Sequence, residues 1–99
     1  ASGFKVWPAE VEALLYGHPA VQEACVVAAR DARRGETVKA VIVLRSDFHD
    51  KVSESDIVTW ARDHMAAYKL PRIVQFVDSL PKSATGKILW RVLQDQQLT

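Results

Sequence analysis

Apolar residues in this chain fall into two patterns, helical stripes and near-continuous runs, and their order along the chain lays out the fold. Lys5-Val6-Trp7 reads as a short extended segment. Pro8 suits the first helical position, where its missing N–H costs nothing, and Glu10 and Glu12 stand near the positive end of the helix dipole. Val11, Leu14 and Leu15 make one apolar stripe, and Gly17 with His18-Pro19 ends that helix. Val21 to Ala29 is rich in β-branched and small apolar residues and predicts a strand. Asp31-Ala32-Arg33-Arg34-Gly35-Glu36 is a polar turn, and Thr37 to Leu44 predicts a second strand. The unbroken runs Cys25–Ala29 and Val41–Leu44 predict central strands covered on at least one face.

The second half changes period. Ser46 to Lys51 is a polar loop, and Ser53 is placed to cap a helix, with Asp56 positioned to reach back in a variant of the capping box. Ile57, Trp60, Ala61, His64 and Met65 follow helical spacing. Tyr68-Lys69-Leu70-Pro71 breaks that helix, because proline disfavours helical geometry in the residue before it. Ile73 to Val77 predicts a third strand. Pro81-Lys82-Ser83-Ala84-Thr85-Gly86-Lys87 is a polar, flexible loop, after which Leu89, Val92 and Leu93 open a helical stripe expected to anchor in the core. With no internal repeat or low-complexity run, residues 1–99 read as one α+β domain, a sheet of about three strands with helices packed on it.

Composition narrows the classes. The chain has 99 residues, 48% hydrophobic and 25% charged, which is ordinary for one globular domain with a modest core. A formal charge of +1 gives no field-level case for nucleic acid or an anionic membrane. No apolar stretch approaches the roughly 20 residues of a spanning helix, and no signal-peptide pattern is present. The expected setting is therefore cytoplasmic. The single cysteine, Cys25, lies in an apolar run and reads as a small buried hydrophobe. The chain opens on Ala1-Ser2-Gly3 without an initiator methionine, which reads as a piece of a longer protein.

Candidate chemistry concentrates at the two ends. Thr85-Gly86-Lys87 suggests a phosphate-binding P-loop, but that motif needs glycine where Pro81 stands and a serine or threonine where Ile88 stands. What survives is a compact positive charge on a glycine-containing loop, suited to a phosphate or carboxylate. Taken alone, such a lysine is ordinary surface. Gly3 could let a narrow ligand pass, or could be a turn glycine. His18, His49 and His64 are scattered without metal-ligand spacing. Arg62 sits opposite its helix's apolar stripe and should be exposed. Neither a Ser-His-Asp set nor a paired-carboxylate set can be supported.

Read together, Gly3-Phe4-Lys5-Val6-Trp7-Pro8-Ala9-Glu10-Val11-Glu12 and Pro81-Lys82-Ser83-Ala84-Thr85-Gly86-Lys87-Ile88 resemble the C-terminal domain of the AMP-forming acyl-CoA synthetases. This superfamily includes peptide-synthetase adenylation domains and luciferases. His18-Pro19-Ala20-Val21 and Tyr68-Lys69-Leu70-Pro71 resemble that domain too, so the likeness covers essentially the whole chain. It implies the mobile lid of a larger enzyme whose N-terminal domain, absent from this chain, binds ATP and a carboxylic acid. The reaction implied is acid plus ATP plus CoA to acyl-CoA, AMP and pyrophosphate through an acyl-adenylate, with a fatty or aromatic acid expected.

Residue by residue, Lys87 matches the catalytic lysine that bridges carboxylate and α-phosphate oxygens. Ser2, Gly3 and Phe4 match the loop lining the pantetheine tunnel. Lys5 matches a position facing the nucleotide, and Arg62 a basic contact to the 3′-phosphate of CoA. ATP and CoA are expected substrates. Mg2+ is expected at the ATP site of the parent, with no ligands from this chain. One alternative keeps the lid but delivers the acyl group to a carrier protein's phosphopantetheine. Another class altogether is a non-catalytic α+β binding module, which near-neutral charge and the absence of an aromatic sheet motif disfavour if RNA is its target.

Overall fold

The computed structural model describes residues 7–31, 35–64 and 71–98. Its elements are α1 (Trp7–Leu15), β1 (Val21–Asp31), β2 (Gly35–Leu44), a 3₁₀ turn (Ser46–Phe48), α2 (Glu54–Arg62), β3 (Ile73–Phe76) and α3 (Trp90–Leu98). The sheet order is β1-β2-β3. β1 pairs antiparallel with β2, from Val21 opposite Leu44 to Asp31 opposite Gly35, and β3 lies parallel to β2 from Lys39 opposite Ile73 to Ile42 opposite Phe76. The α+β class and the three-stranded sheet agree with the pattern in the chain. Both strands of the first pair outrun their apolar segments, because ladder bonds continue through Arg30–Glu36 and Asp31–Gly35.

The apolar runs of β1 and β2 have a simple cause: both faces of the sheet are covered. Ala24, Val26, Ala40, Ile42 and Leu44 point to one face and pack with Val11, Leu15, Ile57 and Val74. Cys25, Val27, Val41 and Val43 point to the other and pack with Leu80 and Leu93. A strand alternates its side chains, so two buried faces demand apolar residues at every position. Cys25 lies fully inside, where burial first and the Glu12 carboxylate second push its thiol up to about 11. The thiolate is thus scarce at neutral pH and the group is unreactive packing.

Helix α2 carries the cap its sequence announced. Ser53 Oγ accepts from Asp56 N–H at 3.1 Å, and Asp56 Oδ2 accepts from Ser53 N–H at 2.9 Å. Ser53→Ala should lower the folding stability by about 1 kcal/mol, read as a lower urea midpoint of this chain. Trp60 packs against the core, edge-on to His18 and stacked on the exposed His64. Burial lowers the pKa of His18, with Asp56 opposing and His64 adding to the shift. His64, which helical spacing places on the apolar face of α2, is exposed at the helix end, and His18 is half-buried. Met65, Tyr68, Lys69 and Leu70 lie outside the described residues, as does the Arg33-Arg34 turn.

A feature invisible to periodicity closes the outer edge of β1. Ala24 N–H donates to Tyr16 Oη at 3.2 Å and Val26 N–H to Glu12 Oε2 at 2.7 Å. Ala28 exchanges two bonds with the Gln94 side-chain amide, each 2.8 Å. An open edge offers these same groups to another strand, and here three side chains occupy them. Glu12 therefore does more than sit in a helix dipole. Its desolvation raises its pKa, while the Val26 N–H works in the opposite direction.

Candidate functional site

The loop before α3 is a small hairpin rather than a flexible connector. Lys82 and Ile88 form an antiparallel bridge, and Leu89 N–H donates to Pro81 O at 2.8 Å. At the tip, Gly86 N–H donates to Ser83 O and Ser83 N–H to Lys87 O, both at 2.9 Å. Gly86 has φ of 86°, a left-handed geometry that glycine alone adopts without steric cost. A three-residue connection ending in a left-handed residue is a standard bulged hairpin. Serine opening the turn and glycine closing it were the available signal.

The hairpin is seated by its stems. Leu80 is buried, and Ile88 packs half-buried, against the face formed by Cys25, Val27, Val41 and Val43. Lys82 also forms an ion pair with Glu23, which stands beside a register shift in β1. A partly exposed pair contributes no more than about 1 kcal/mol, so packing of the stems, more than the ion pair, holds the hairpin.

Lys87 is exposed at the tip's end, and among the described residues its ammonium has no hydrogen-bond or ion-pair partner. Arg62 is exposed too, as its position opposite the apolar stripe predicted. The two lie on opposite sides of the sheet. Arg62 ends α2, whose Ile57 joins the first core cluster, whereas the Lys87 hairpin joins the second through Ile88. The structure does not bring them together. Ser2, Gly3, Phe4 and Lys5 lie outside the described residues. Among the described residues no three His, Cys, Asp or Glu side chains gather in a metal-binding group. No helix among them is long and apolar enough to cross a membrane.

The stripe expected to anchor α3 is a correction. Leu93 is 5% exposed, but Leu89 is 39%, Val92 44% and Trp90 50% exposed. The rotation of the helix is set by polar docking. Leu93, Gln94 and Gln97 span about 100° of the helix at 3.6 residues per turn. Gln94 grips β1 at Ala28 while Gln97 Oε1 accepts from Lys39 Nζ at 2.6 Å. Val92 falls about 100° from Leu93 on the side opposite Gln94 and is left exposed, as is Leu89, which precedes the helix. The exposed Trp90 ring carries the Arg91 guanidinium 5.1 Å from its centroid, at the foot of the lysine hairpin.

Comparison with known proteins adds three findings. Residues 10–87 match the family model of the AMP-binding enzyme C-terminal domain. The mitochondrial acyl-coenzyme A synthetase ACSM4 of Rattus norvegicus is 46% identical over 101 residues, and the long-chain-fatty-acid–CoA ligase of Bacillus subtilis 43% over 97. Each alignment covers 98% of this chain, which spans about 17% of the length of either relative. The anthranilate CoA ligase AuaEII, solved in complex with anthranoyl-AMP, superposes with a TM-score of 0.80 at 41% identity, covering 92% of this chain and 18% of that one.

Proposed function

The chain belongs to the AMP-binding enzyme C-terminal domain family, and on that footing we propose that it is the mobile lid of an ATP-dependent carboxylate–CoA ligase. The observation that carries the proposal is Lys87: an exposed ammonium, without a partner among the described residues, on a hairpin held by both stems. Among the described residues nothing engages that cation, which suits a charge that works on anions bound by another domain.

In the first half-reaction a carboxylate oxygen attacks the α-phosphorus of ATP. An O–P bond forms, the bond to the β-phosphate bridging oxygen breaks, and pyrophosphate leaves. Lys87 sits between two groups that repel each other and neutralises charge as they approach, which is electrostatic and orientational catalysis. In the second, the CoA thiol sulfur attacks the acyl carbonyl carbon. A C–S bond forms, AMP leaves and the thiol proton goes to solvent. Ser2, Gly3 and Phe4 would line the channel that delivers the thiol, Lys5 would face the nucleotide and Arg62 would meet the CoA 3′-phosphate. Mg2+ would be held at the ATP site of the parent's N-terminal domain, where it would neutralise phosphate charge.

Placing Lys87 and Arg62 on opposite sides of the sheet favours a division of labour in which rotation of the lid exchanges the two chemistries. The exposed run Leu89, Trp90 and Val92 beside the hairpin is apolar surface that the parent's N-terminal domain would cover. A fatty or aromatic acid is the proposed substrate, since the bacterial relative is a long-chain-fatty-acid ligase and the structural neighbour an anthranilate ligase. The proposed setting is the cytoplasm.

The full-length parent, given ATP, CoA and such acids, is expected to form acyl-CoA with AMP and pyrophosphate in equal amounts. Cleavage of ATP to ADP, or no thioester with any acid, would sink the assignment. Transfer to a carrier protein's phosphopantetheine with none to CoA would favour the carrier-loading lid. The 99 residues alone are expected to run neither half-reaction.

A further inference from the structure

We propose that Ser83 is a positioning residue for Lys87, acting through the shape of the hairpin tip. The proposal rests on the reading of Lys87 as the cation of the adenylation step. Ser83 bonds through its backbone and its side chain, all within five residues. Its N–H donates to Lys87 O and its carbonyl accepts from Gly86 N–H, both at 2.9 Å. Its Oγ accepts from Lys87 N–H at 3.2 Å and lies 3.0 Å from Thr85 Oγ1. Both backbone polar groups of Lys87 are therefore held by one residue, and the hydroxyl supplies the only side-chain bond to them among the described residues.

The remaining polar ties of the hairpin, the Lys82–Glu23 ion pair, the Lys82–Ile88 bridge and the bond from Leu89 N–H to Pro81 O, act at its base and not at the tip. Gly86 supplies the left-handed reversal but has no side chain with which to hold Lys87. Removing the Ser83 hydroxyl leaves the backbone bonds of the turn and frees the Lys87 N–H, so the hairpin persists while the origin of the lysine side chain shifts. An ammonium at the end of a four-carbon stem depends on that origin, and misplacement on the ångström scale is costly in a charge-alignment step.

The test is a cycle in the full-length parent, read by acid-dependent ATP–pyrophosphate exchange. Ser83→Ala should lower kcat of exchange about tenfold, the worth of one hydrogen bond expressed as a rate. KM for ATP and acid should hold steady, and thioester formation from supplied acyl-adenylate should continue, which also reports a folded lid. Ser83→Thr, which keeps a hydroxyl, should recover most of the rate. The double variant Ser83→Ala/Lys87→Ala should be no slower than Lys87→Ala, because a positioning residue acts only through the group it positions. Full exchange in Ser83→Ala beside an inactive Lys87→Ala overturns the proposal alone, as does a double variant slower by both factors. Full exchange in Lys87→Ala overturns the reading of Lys87, and the proposal with it.

Discussion

Lys87→Ala in the full-length parent is expected to cut acid-dependent ATP–pyrophosphate exchange by about 10²–10³-fold, the usual cost of deleting one charge-stabilising group aimed at a transition state. Thioester formation from supplied acyl-adenylate should continue, because the lysine serves only the step in which two anions meet. The asymmetry is what makes the result diagnostic. A lysine that merely supported the fold would slow both half-reactions together. Structurally there is little for it to support, since its ammonium has no partner among the described residues and its hairpin is held by stem packing, backbone bonds and the Ser83 hydroxyl. Unchanged exchange would remove Lys87 from the mechanism. Lys87→Arg should restore only part of the rate, because a planar guanidinium places its charge differently from a compact ammonium.

The second large effect is expected at the opposite end of the chain. Gly3→Leu should slow the thioester step by about 10²-fold or more while largely sparing pyrophosphate exchange, since a branched side chain would obstruct a channel sized for pantetheine and misplace the thiol. Acyl-adenylate would accumulate, measurable as a stoichiometric burst of pyrophosphate without matching acyl-CoA. Normal consumption of the adenylate by CoA would take Gly3 out of the mechanism. Together the two variants split the reaction from opposite sides, which no single defect in folding can imitate.

Much of the architecture was legible in the chain because it rests on local rules. The apolar runs of β1 and β2 and the reciprocal cap of Ser53 and Asp56 each answer to one or two neighbouring residues. Their physics is short-ranged, so reading along the sequence recovers it. The lysine loop was half legible. Its glycine and its lysine stood out, while its stiffness, which comes from pairing Lys82 with Ile88 and from the bonds of Ser83, did not.

Helix α3 shows where that reading ends. Apolar spacing pointed Val92 inward, yet the helix docks through Leu93, Gln94 and Gln97, and the partners of the two glutamines, Ala28 and Lys39, are far away in the chain. The same holds for the closed edge of β1, where Glu12, Tyr16 and Gln94 meet backbone groups of a strand they do not adjoin in sequence. A buried amide or carboxylate must find a partner, and which partner depends on what folding brings within hydrogen-bond reach. Local patterning and two terminal motifs thus sufficed to specify class, family and the identity of the candidate cation. The rotation of α3, the rigidity behind Lys87 and the separation of Lys87 from Arg62 across the sheet came from long-range packing, because each is a relation between residues that meet only in three dimensions.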